Sequence, residues 1–433
     1  MQRYEEYKDS DFKWFGDIPK NWEVKRLKYL FKFVVGFTPP SGKSEYYEDG
    51  NYTWITIADM KSKYLDDSVR KITDKAIEDL NPCIVPKDSL LYSFKLSVGK
   101  VAFTEIDTYT NEAIFAVLPN EDLNLDFYYY ALPLQIIHNA NENIYGAKIF
   151  NQELIKNAFL VTPPKDEQIT IANYLNKKTT EIDTLITQKE ALLALYEEEK
   201  AAIINQAVTK GVDLDVTMKA SGASWLDEMP KHWEVRRIGY SFGIIGSGTT
   251  PKTSESSYYY NGDIPWLNTG DLNNGYIYDT SKKITDKAIE DISTLKIYPI
   301  GSLVIAMYGA TIGKLGITEI ETTVNQACCV LNNSDVLSNK YLFYWLILNK
   351  RHIITLGSGG GQPNISQEII RNLKVQTPPR EEQDKIVEYI ENGLSKIDVK
   401  IQKTKDIIKF QKEYRTALIS EVVTGKIKVS EEM

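Results

Sequence analysis

Cysteine is scarce in this 433-residue chain: only Cys83, Cys328 and Cys329 occur. An odd number with one adjacent pair makes no disulfide framework and fits a reducing compartment, so a cytoplasmic location is expected. Histidine is as rare. His138, His232 and His352 lie far apart, and no His/Cys cluster has metal-ligand spacing, so no metal site is expected. No apolar run approaches the roughly 18 residues of a membrane span, and the first fifteen residues, MQRYEEYKDSDFKWF, contain no apolar signal core. Positive charge is also short. The formal net charge is -8, the wrong sign for a protein that grips nucleic acid unaided through salt-sensitive phosphate contacts.

Catalytic signatures are missing too. There is no G-x-S-x-G elbow, and no cysteine has readable histidine and asparagine partners. Neither Pro-Pro pair has the Asn/Asp-Pro-Pro-Tyr/Phe form of amino-methyltransferases acting on adenine or cytosine; both read T-P-P-K/R. Gly309-Ala-Thr-Ile-Gly313-Lys314-Leu315 departs from a phosphate loop, with three residues between the glycines and leucine where a magnesium-binding hydroxyl belongs. It reads as a tight turn presenting a lysine. Gly357-Ser-Gly-Gly-Gly361-Gln-Pro-Asn364 reads as a loop too glycine-rich to pack.

Residues 165–208 lack both glycine and proline, and here the absence is informative. Pro163 and Pro164 stand where proline fits a helix start, and Gly211 where glycine ends one. Apolar residues at Ile171, Leu175, Ile182, Leu185, Leu192, Tyr196 and Ile203 follow coiled-coil spacing. A helix of that length cannot bury its stripe on a small domain and needs a long partner. Residues 380–423 supply one, after Pro378 and Pro379. The seam is expected to engage Ile171, Leu175, Ile182, Ile186, Leu193 and Ile203 with Ile386, Ile390, Ile397, Ile401, Ile408 and Leu418.

The two helices are copies, and so is the rest of the chain. Trp14-Phe-Gly-Asp-Ile-Pro19-Lys-Asn-Trp22-Glu-Val24 returns as Trp225-Leu-Asp-Glu-Met-Pro230-Lys-His-Trp233-Glu-Val235. Gly36-Phe-Thr-Pro39 returns as Gly248-Thr-Thr-Pro251, and Gly50-Asn-Tyr-Thr-Trp54 as Gly262-Asp-Ile-Pro-Trp266. Lys71–Asp79 recurs unchanged at 283–291, Gly99-Lys100 at 313–314, and Asn111-Glu-Ala113 as Asn325-Gln-Ala327. Thr162-Pro-Pro-Lys-Asp-Glu-Gln168 answers Thr377-Pro-Pro-Arg-Glu-Glu-Gln383. The offset drifts from 211 to 215 by single residues, as loop insertions would make it drift. Two units of over 200 residues are too large for a solenoid repeat. Each is a globular domain followed by a long helix.

Within each domain the pattern is α+β without a βαβ rhythm. Strands are expected at Ser89–Ser93 and Ser302–Ala306. Short helices are expected at Lys75–Asp79 and Lys287–Asp291 after Thr-Asp caps, and apolar helices at Phe127–Ile137 and Tyr341–Leu348. Residues 209–224 read as a linker. The frame agrees between units while certain loops differ, and those loops carry hydroxyl, amide, aromatic and lysine side chains. Candidates for contact with DNA are Lys43, Ser44, Tyr46, Tyr47, Lys95, Ser97 and Lys100 in unit one. In unit two they are Lys252, Ser254, Tyr258, Asn268, Asn273, Tyr308, Thr311 and Lys314. Such groups can read base edges and hold phosphates.

In combination, the W-x₃-I/M-P-x-x-W-E-V opening, the G-x-T-P and G-x₃-W blocks, the P-P-x-x-E-Q helix starts and the duplicated layout resemble the specificity subunits of type I restriction–modification enzymes. The resemblance covers essentially the whole chain. It implies two pseudo-symmetric target recognition domains, residues 1–160 and 219–374, separated by two long antiparallel coiled-coil helices in regions 161–218 and 375–433. It further implies that each domain binds half of a bipartite sequence in double-stranded DNA, and that the helices space the domains and dock two methyltransferase subunits. S-adenosylmethionine, ATP and magnesium would then act in the methyltransferase and motor–nuclease partners, the chain itself being non-catalytic. Recognition domains differ widely across that family, so no base-contacting residue transfers from it. On residues alone, a two-headed interaction protein with a non-DNA partner stays open.

Overall fold

The computed structural model describes residues 2–430 other than 96, 143–147, 214, 224, 227 and 358–363. The chain divides into two compact units, residues 1–189 with 406–433, and residues 190–405. Each unit takes a piece of both long helices. The central helix spans Lys165–Lys210 and the C-terminal helix Arg380–Val423. At about 1.5 Å per residue each is about 65–70 Å long.

In the first unit the sheet of five strands runs Phe33–Val35, Ile114–Val117, Leu90–Ser93, Val101–Thr104, Tyr64–Leu65. Its neighbours are antiparallel except the last pair, where Tyr64 lies beside Phe103 in parallel. A sheet of three short strands, Tyr109–Thr110, Tyr52–Ile55 and Lys71–Ile72, packs with it. The period-two alternation of a strand divides the core. Leu91, Ala102, Ile114 and Ala116 join Ile55, Ile57 and Val85 in one cluster.

The second unit repeats the order with Ile244–Ser247, Cys328–Asn332, Leu303–Ala306, Leu315–Thr318 and Gly275–Ile277. Here Val304, Ala306, Cys328 and Val330 share a cluster with Leu267 and Val324. Leu303, Ile305, Leu315 and Ile317 instead meet Tyr341, Leu342 and Trp345 of helix Asn339–Thr355. That same cluster includes Ile204, Ala207, Val208, Ile386, Val387 and Ile390 of the two long helices. The helix ends are therefore part of the domain core.

Strands form at Leu90–Ser93 and Leu303–Ala306, as the apolar runs require. The short helices Asp74–Leu80 and Asp286–Asp291 start after Thr73 and Thr285, whose side chains accept from the Ala76 and Ala288 amides. The apolar helices run Leu125–Gln135 and Asn339–Thr355. The expected linker 209–224 is more ordered than its polar composition suggested. The central helix continues to Lys210, and Met218–Ala220 pairs antiparallel with Glu228–Pro230. Tyr7–Asp9 does the same with Asp17–Pro19 in the first unit. Local composition does not reveal a strand whose partner lies ten residues on.

Each domain closes through a two-stranded ladder. Glu23–Arg26 pairs with Phe159–Thr162, and Glu234–Arg237 with Lys374–Thr377. The buried glutamine of the E-Q motif then holds the helix start to the domain. Gln168 Oε1 accepts from the Asn124 amide at 2.8 Å and its Nε2 donates to the Pro163 carbonyl at 2.8 Å. Gln383 accepts from Ser338 at 2.7 Å and donates to Val336 and Pro378. The neighbouring glutamate serves the tryptophan motif: Trp233 Nε1 donates to Glu382 at 3.0 Å. In the first unit Glu167 accepts instead from Tyr4 and Asn21, and buried Trp22 Nε1 has no partner among the described residues.

The two helices run antiparallel inside each unit. In the second, Lys200 meets Asp398 at 2.6 Å and Ile203 lies over Gly393. In the first, Arg415 pairs with Asp183 at 2.9 Å, while Asp166 and Thr170 share a recess with Lys428 and Val429. Ile171, Leu175, Ile182, Ile186, Ile386, Ile390, Ile397, Ile401, Ile408 and Leu418 are buried, and Leu193 and Ile203 are half-buried. Thr179 and Thr404 are also buried on these helices, hydroxyls that an apolar count passes over.

Candidate nucleic-acid interface

The matched sequence blocks meet at one edge of each domain. In the first unit Gly36 N donates to the Ile114 carbonyl, Phe37 N to Thr110, Asn111 N to Ile55, and Phe94 N to Ala113. In the second, Gly248 N donates to Asn325, Asn325 N to Leu267, Met307 N to Ala327 and Ile365 N to Met307. Loops 36–39, 55–59, 94–100 and 110–113 are thus laced into one cluster, and 248–251, 267–271, 307–314 and 325–327 into its counterpart.

The glycine of G-x-T-P is required by close approach. A Cβ on Gly36 would lie 2.2 Å from the Thr110 and Asn111 oxygens, and one on Gly248 would lie 1.5 Å from the Val324 oxygen. The tryptophan of the next block ties that turn down: Trp54 Nε1 donates to Phe37 O at 3.0 Å and Trp266 Nε1 to Thr249 O at 3.2 Å. Asp59 and Asp271 brace the following loop. Asp59 accepts from the Thr56 amide at 2.8 Å, the Thr56 hydroxyl at 2.6 Å and the Val69 amide at 3.0 Å. Asp271 accepts from the amides of Asn268 and Ser281. Burial alone would raise the Asp59 carboxyl, but these hydrogen bonds outweigh it and hold the group below its ordinary range. Both aspartates are frame residues that the sequence did not single out, although D at matched offsets was there to be read.

Several candidate readers also belong to the frame. Tyr46 is buried, and its hydroxyl donates to Asp79 at 3.1 Å while receiving Lys43 Nζ at 3.1 Å. The Lys43 bond to that hydroxyl raises the lysine's pKa. Tyr47 donates to the Pro39 carbonyl, as Tyr259 does to Pro251 at 2.6 Å. Half-buried Tyr258 packs against the cluster around Trp266 and Ile284. Asn268 donates to the Trp266 carbonyl at 2.9 Å and accepts from Asn325 Nδ2 at 3.2 Å. Thr250 donates to Gln326 beside it.

The side chains left facing outward are Lys43, Ser44, Lys95, Ser97 and Lys100 in the first unit, and Lys252, Ser254 and Asn273 in the second, with Tyr308, Thr311 and Lys314 half-buried. Burial raises the Tyr308 hydroxyl above its usual range, keeping it a neutral donor. Gly309-to-Lys314 forms a tight turn, with Ile312 N donating to Gly309 O and Lys314 N to Thr311 O; Gly309 and Gly313 both have positive φ, +81° and +70°. The stem of Lys350 crosses Gly313, so that a Cβ there would meet Lys350 Cε at 3.1 Å. Burial and the charge of Lys314 together depress the Lys350 ammonium. The Gly357–Asn364 loop lies mostly outside the described residues.

Burial pushes the Cys328 and Cys329 thiols up to about 12, which leaves them protonated and inert. Among the described residues no group of three or more His, Cys, Asp or Glu could hold a metal ion, and no helix is long and apolar enough to cross a membrane. The arrangement can offer lysines to phosphates, and amides and hydroxyls to base edges.

Comparison with known proteins gives a consistent answer. The family model described as "Type I restriction modification DNA specificity domain" matches twice, over residues 19–194 and 230–409. The chain is 25% identical over 444 residues to the type I restriction enzyme MjaIX specificity subunit of Methanocaldococcus jannaschii, covering 98% of this chain and 97% of that protein. In fold it is similar to a chain from a structural study of type I R-M system assembly and conformational transition, with TM-score 0.71, 14% identity, and 95% and 99% of the two chains covered. It is also similar to the crystal structure of the HsdS subunit from Thermoanaerobacter tengcongensis, with TM-score 0.58, 14% identity, and 95% and 98% covered.

Proposed function

Because the chain belongs to the type I restriction–modification DNA specificity family, we propose that it reads DNA for such an enzyme, each unit contacting one half of a bipartite target. The observation that carries this reading is the duplicated loop cluster. Glycine, tryptophan and aspartate hold the same frame in both units, while Lys95 and Ser97 in one give way to Tyr308 and Thr311 in the other, beside the matched lysines Lys100 and Lys314. One scaffold holding two different sets of outward polar groups suits two different half-sites. Lysines of both sets would meet phosphates, and Ser97, Ser254, Asn273 and Thr311 would face base edges.

The long helices would dock two methyltransferase subunits, and motor–nuclease subunits would complete the enzyme. S-adenosylmethionine, ATP and magnesium belong to those partners in this reading, and the chain alone performs no methyl transfer, cleavage or ATP hydrolysis. The net charge of -8 is then unremarkable, since partners supply part of the phosphate grip.

Sequencing the methylated sites of a host with and without this gene tests the proposal. Loss of one bipartite methylation motif is expected. Exchange of residues 27–158 for those of a relative should alter one half-site and leave the other unchanged. If both halves change, the units are not separate readers. An unaltered methylome on deletion, with binding to a non-DNA partner, would favour the two-headed interaction protein.

A further inference from the structure

Each globular domain meets its long helix through a lysine set among tyrosines, but the charges are arranged oppositely in the two units. In the first, Lys63 Nζ donates to Asp126 Oδ1 at 2.8 Å and to Asn176 Oδ1 at 2.8 Å. Tyr130 donates to the same Asn176 oxygen at 2.8 Å. The Lys63 ammonium lies 4.9 Å from the Tyr129 ring centroid, 5.3 Å from Tyr64 and 5.6 Å from Phe103. Lys63 and Asp126 come from the domain and Asn176 from the central helix.

The repeat carries each position across. Tyr276 stands for Tyr64, Gly275 for Lys63, Lys340 for Asp126, and Glu391, on the C-terminal helix, for Asn176. Glu391 accepts from the Tyr276 hydroxyl at 2.7 Å and from Lys340 at 3.3 Å, and Lys340 lies 5.2 Å from the Tyr276 ring. The first domain thus brings both a lysine and its carboxylate to a neutral helix residue. The second brings only the lysine, and the helix supplies the carboxylate. Both junctions balance to zero.

We propose that the residue at this helix position, Asn176 or Glu391, is a positional key that selects which kind of recognition domain can seat there. A neutral helix residue accepts a domain carrying its own lysine–carboxylate pair; an acidic one accepts a domain presenting lysine alone. The first domain set against Glu391 would put two carboxylates around Lys63. The second set against Asn176 would leave Lys340 without a carboxylate. Lys63, Asp126 and Asn176 are half-buried, so solvent does not fully screen a mismatch at the first junction; at the second, where Lys340 is exposed, the effect is smaller. The inference concerns how a domain fits its helix and is independent of which DNA is read.

A double-mutant cycle on the full chain tests it, the background change Asp126→Asn being isosteric and the extra methylene of Asn176→Glu common to both backgrounds. In the native background Asn176→Glu adds a second carboxylate and is expected to lower the unfolding midpoint by about 2–4 °C, the shift that follows from a loss on the order of 1 kcal/mol in a unit of this size. In the Asp126→Asn background the same Asn176→Glu change restores the balance and is expected to raise the midpoint. An effect of the same sign and size in both backgrounds overturns the proposal. The second arm places residues 27–158 in both positions, in place of 238–373, within the assembled methyltransferase. There Glu391→Asn should increase methylation of the new half-site several-fold, whereas in the native chain it should lower the unfolding midpoint. Glu391→Asn acting in the same direction in both chains also overturns it. If the exchanged chain does not fold, the cycle at Asp126 and Asn176 still decides.

Discussion

Substituting Gln383 by leucine removes an amide that is completely buried and makes three hydrogen bonds, one from the Ser338 amide and two to the Val336 and Pro378 carbonyls. Leucine fills nearly the same space, so the cost is polar. A buried N–H left without a partner costs about 1–3 kcal/mol, and a carbonyl with a second lone pair elsewhere satisfied costs less. With roughly 1 kcal/mol regained from the apolar side chain, a net loss of about 3 kcal/mol from the second unit is expected. The loss should concentrate at one place, because Ser338 is the N-cap residue of helix Asn339–Thr355. Urea unfolding followed by tryptophan fluorescence measures the total, since Trp225, Trp233, Trp266 and Trp345 all lie in this unit. Amide exchange at Ser338 reports the local effect. Gln383→Glu tests the direction of the bonds: it keeps the acceptor for Ser338 but turns a carboxylate toward two carbonyl oxygens, so it should be no milder at pH 7. A loss below about 1 kcal/mol, or unchanged protection of Ser338, would refute the view that this glutamine fastens the domain to the helix.

Gly248→Ala should prevent the second unit from closing, because the new methyl would overlap the Val324 oxygen, whereas Gly270→Ala, with open space around it, should leave the melting curve unchanged. Trp233→Phe should destabilise by about 1–2 kcal/mol more than Trp22→Phe in urea titrations, since only Trp233 loses an indole hydrogen bond, that to Glu382. Lys314→Gln and Lys350→Gln should each flatten the slope of log affinity for DNA against log salt by about 0.9 in the assembled methyltransferase, with the methylated sequence unchanged; an unaltered slope would mean that neither ammonium meets a phosphate.

Much of this architecture was legible because the chain states it twice. The helix seams, the Thr73 and Thr285 caps and the strand pairs at Leu90 and Leu303 rest on local periodicity, which one sequence displays. The E-Q glutamines were visible as a motif, but their role was not: a buried amide is justified only by the Asn124 or Ser338 backbone it meets, over forty residues away. Tyr46 and Tyr47 read in the sequence as polar aromatics in a variable loop, yet they sit inward on Asp79 and Pro39. A tyrosine that caps a small core has the same letters around it as one that stacks on a base. Lys350 lies 36 residues beyond Lys314 in the chain, and only the fold brings its stem across Gly313.

The division of both long helices between the units has a consequence for synthesis. Residues 190–405 form their unit from one continuous stretch, while the first unit needs residues 406–433. The domain made first is therefore finished last. At about 5–20 residues per second, the 216 residues of Glu190–Lys405 take roughly 10–40 s to emerge. Throughout that interval the buried stripe of Ile171, Leu175 and Ile182 lacks residues 406–433 of its own unit, and Trp22 lacks the turn at Gly425. A nascent chain stalled before Asp406 would carry a finished second unit and, in the first, an apolar stripe without its cover, a natural substrate for chaperones and proteases.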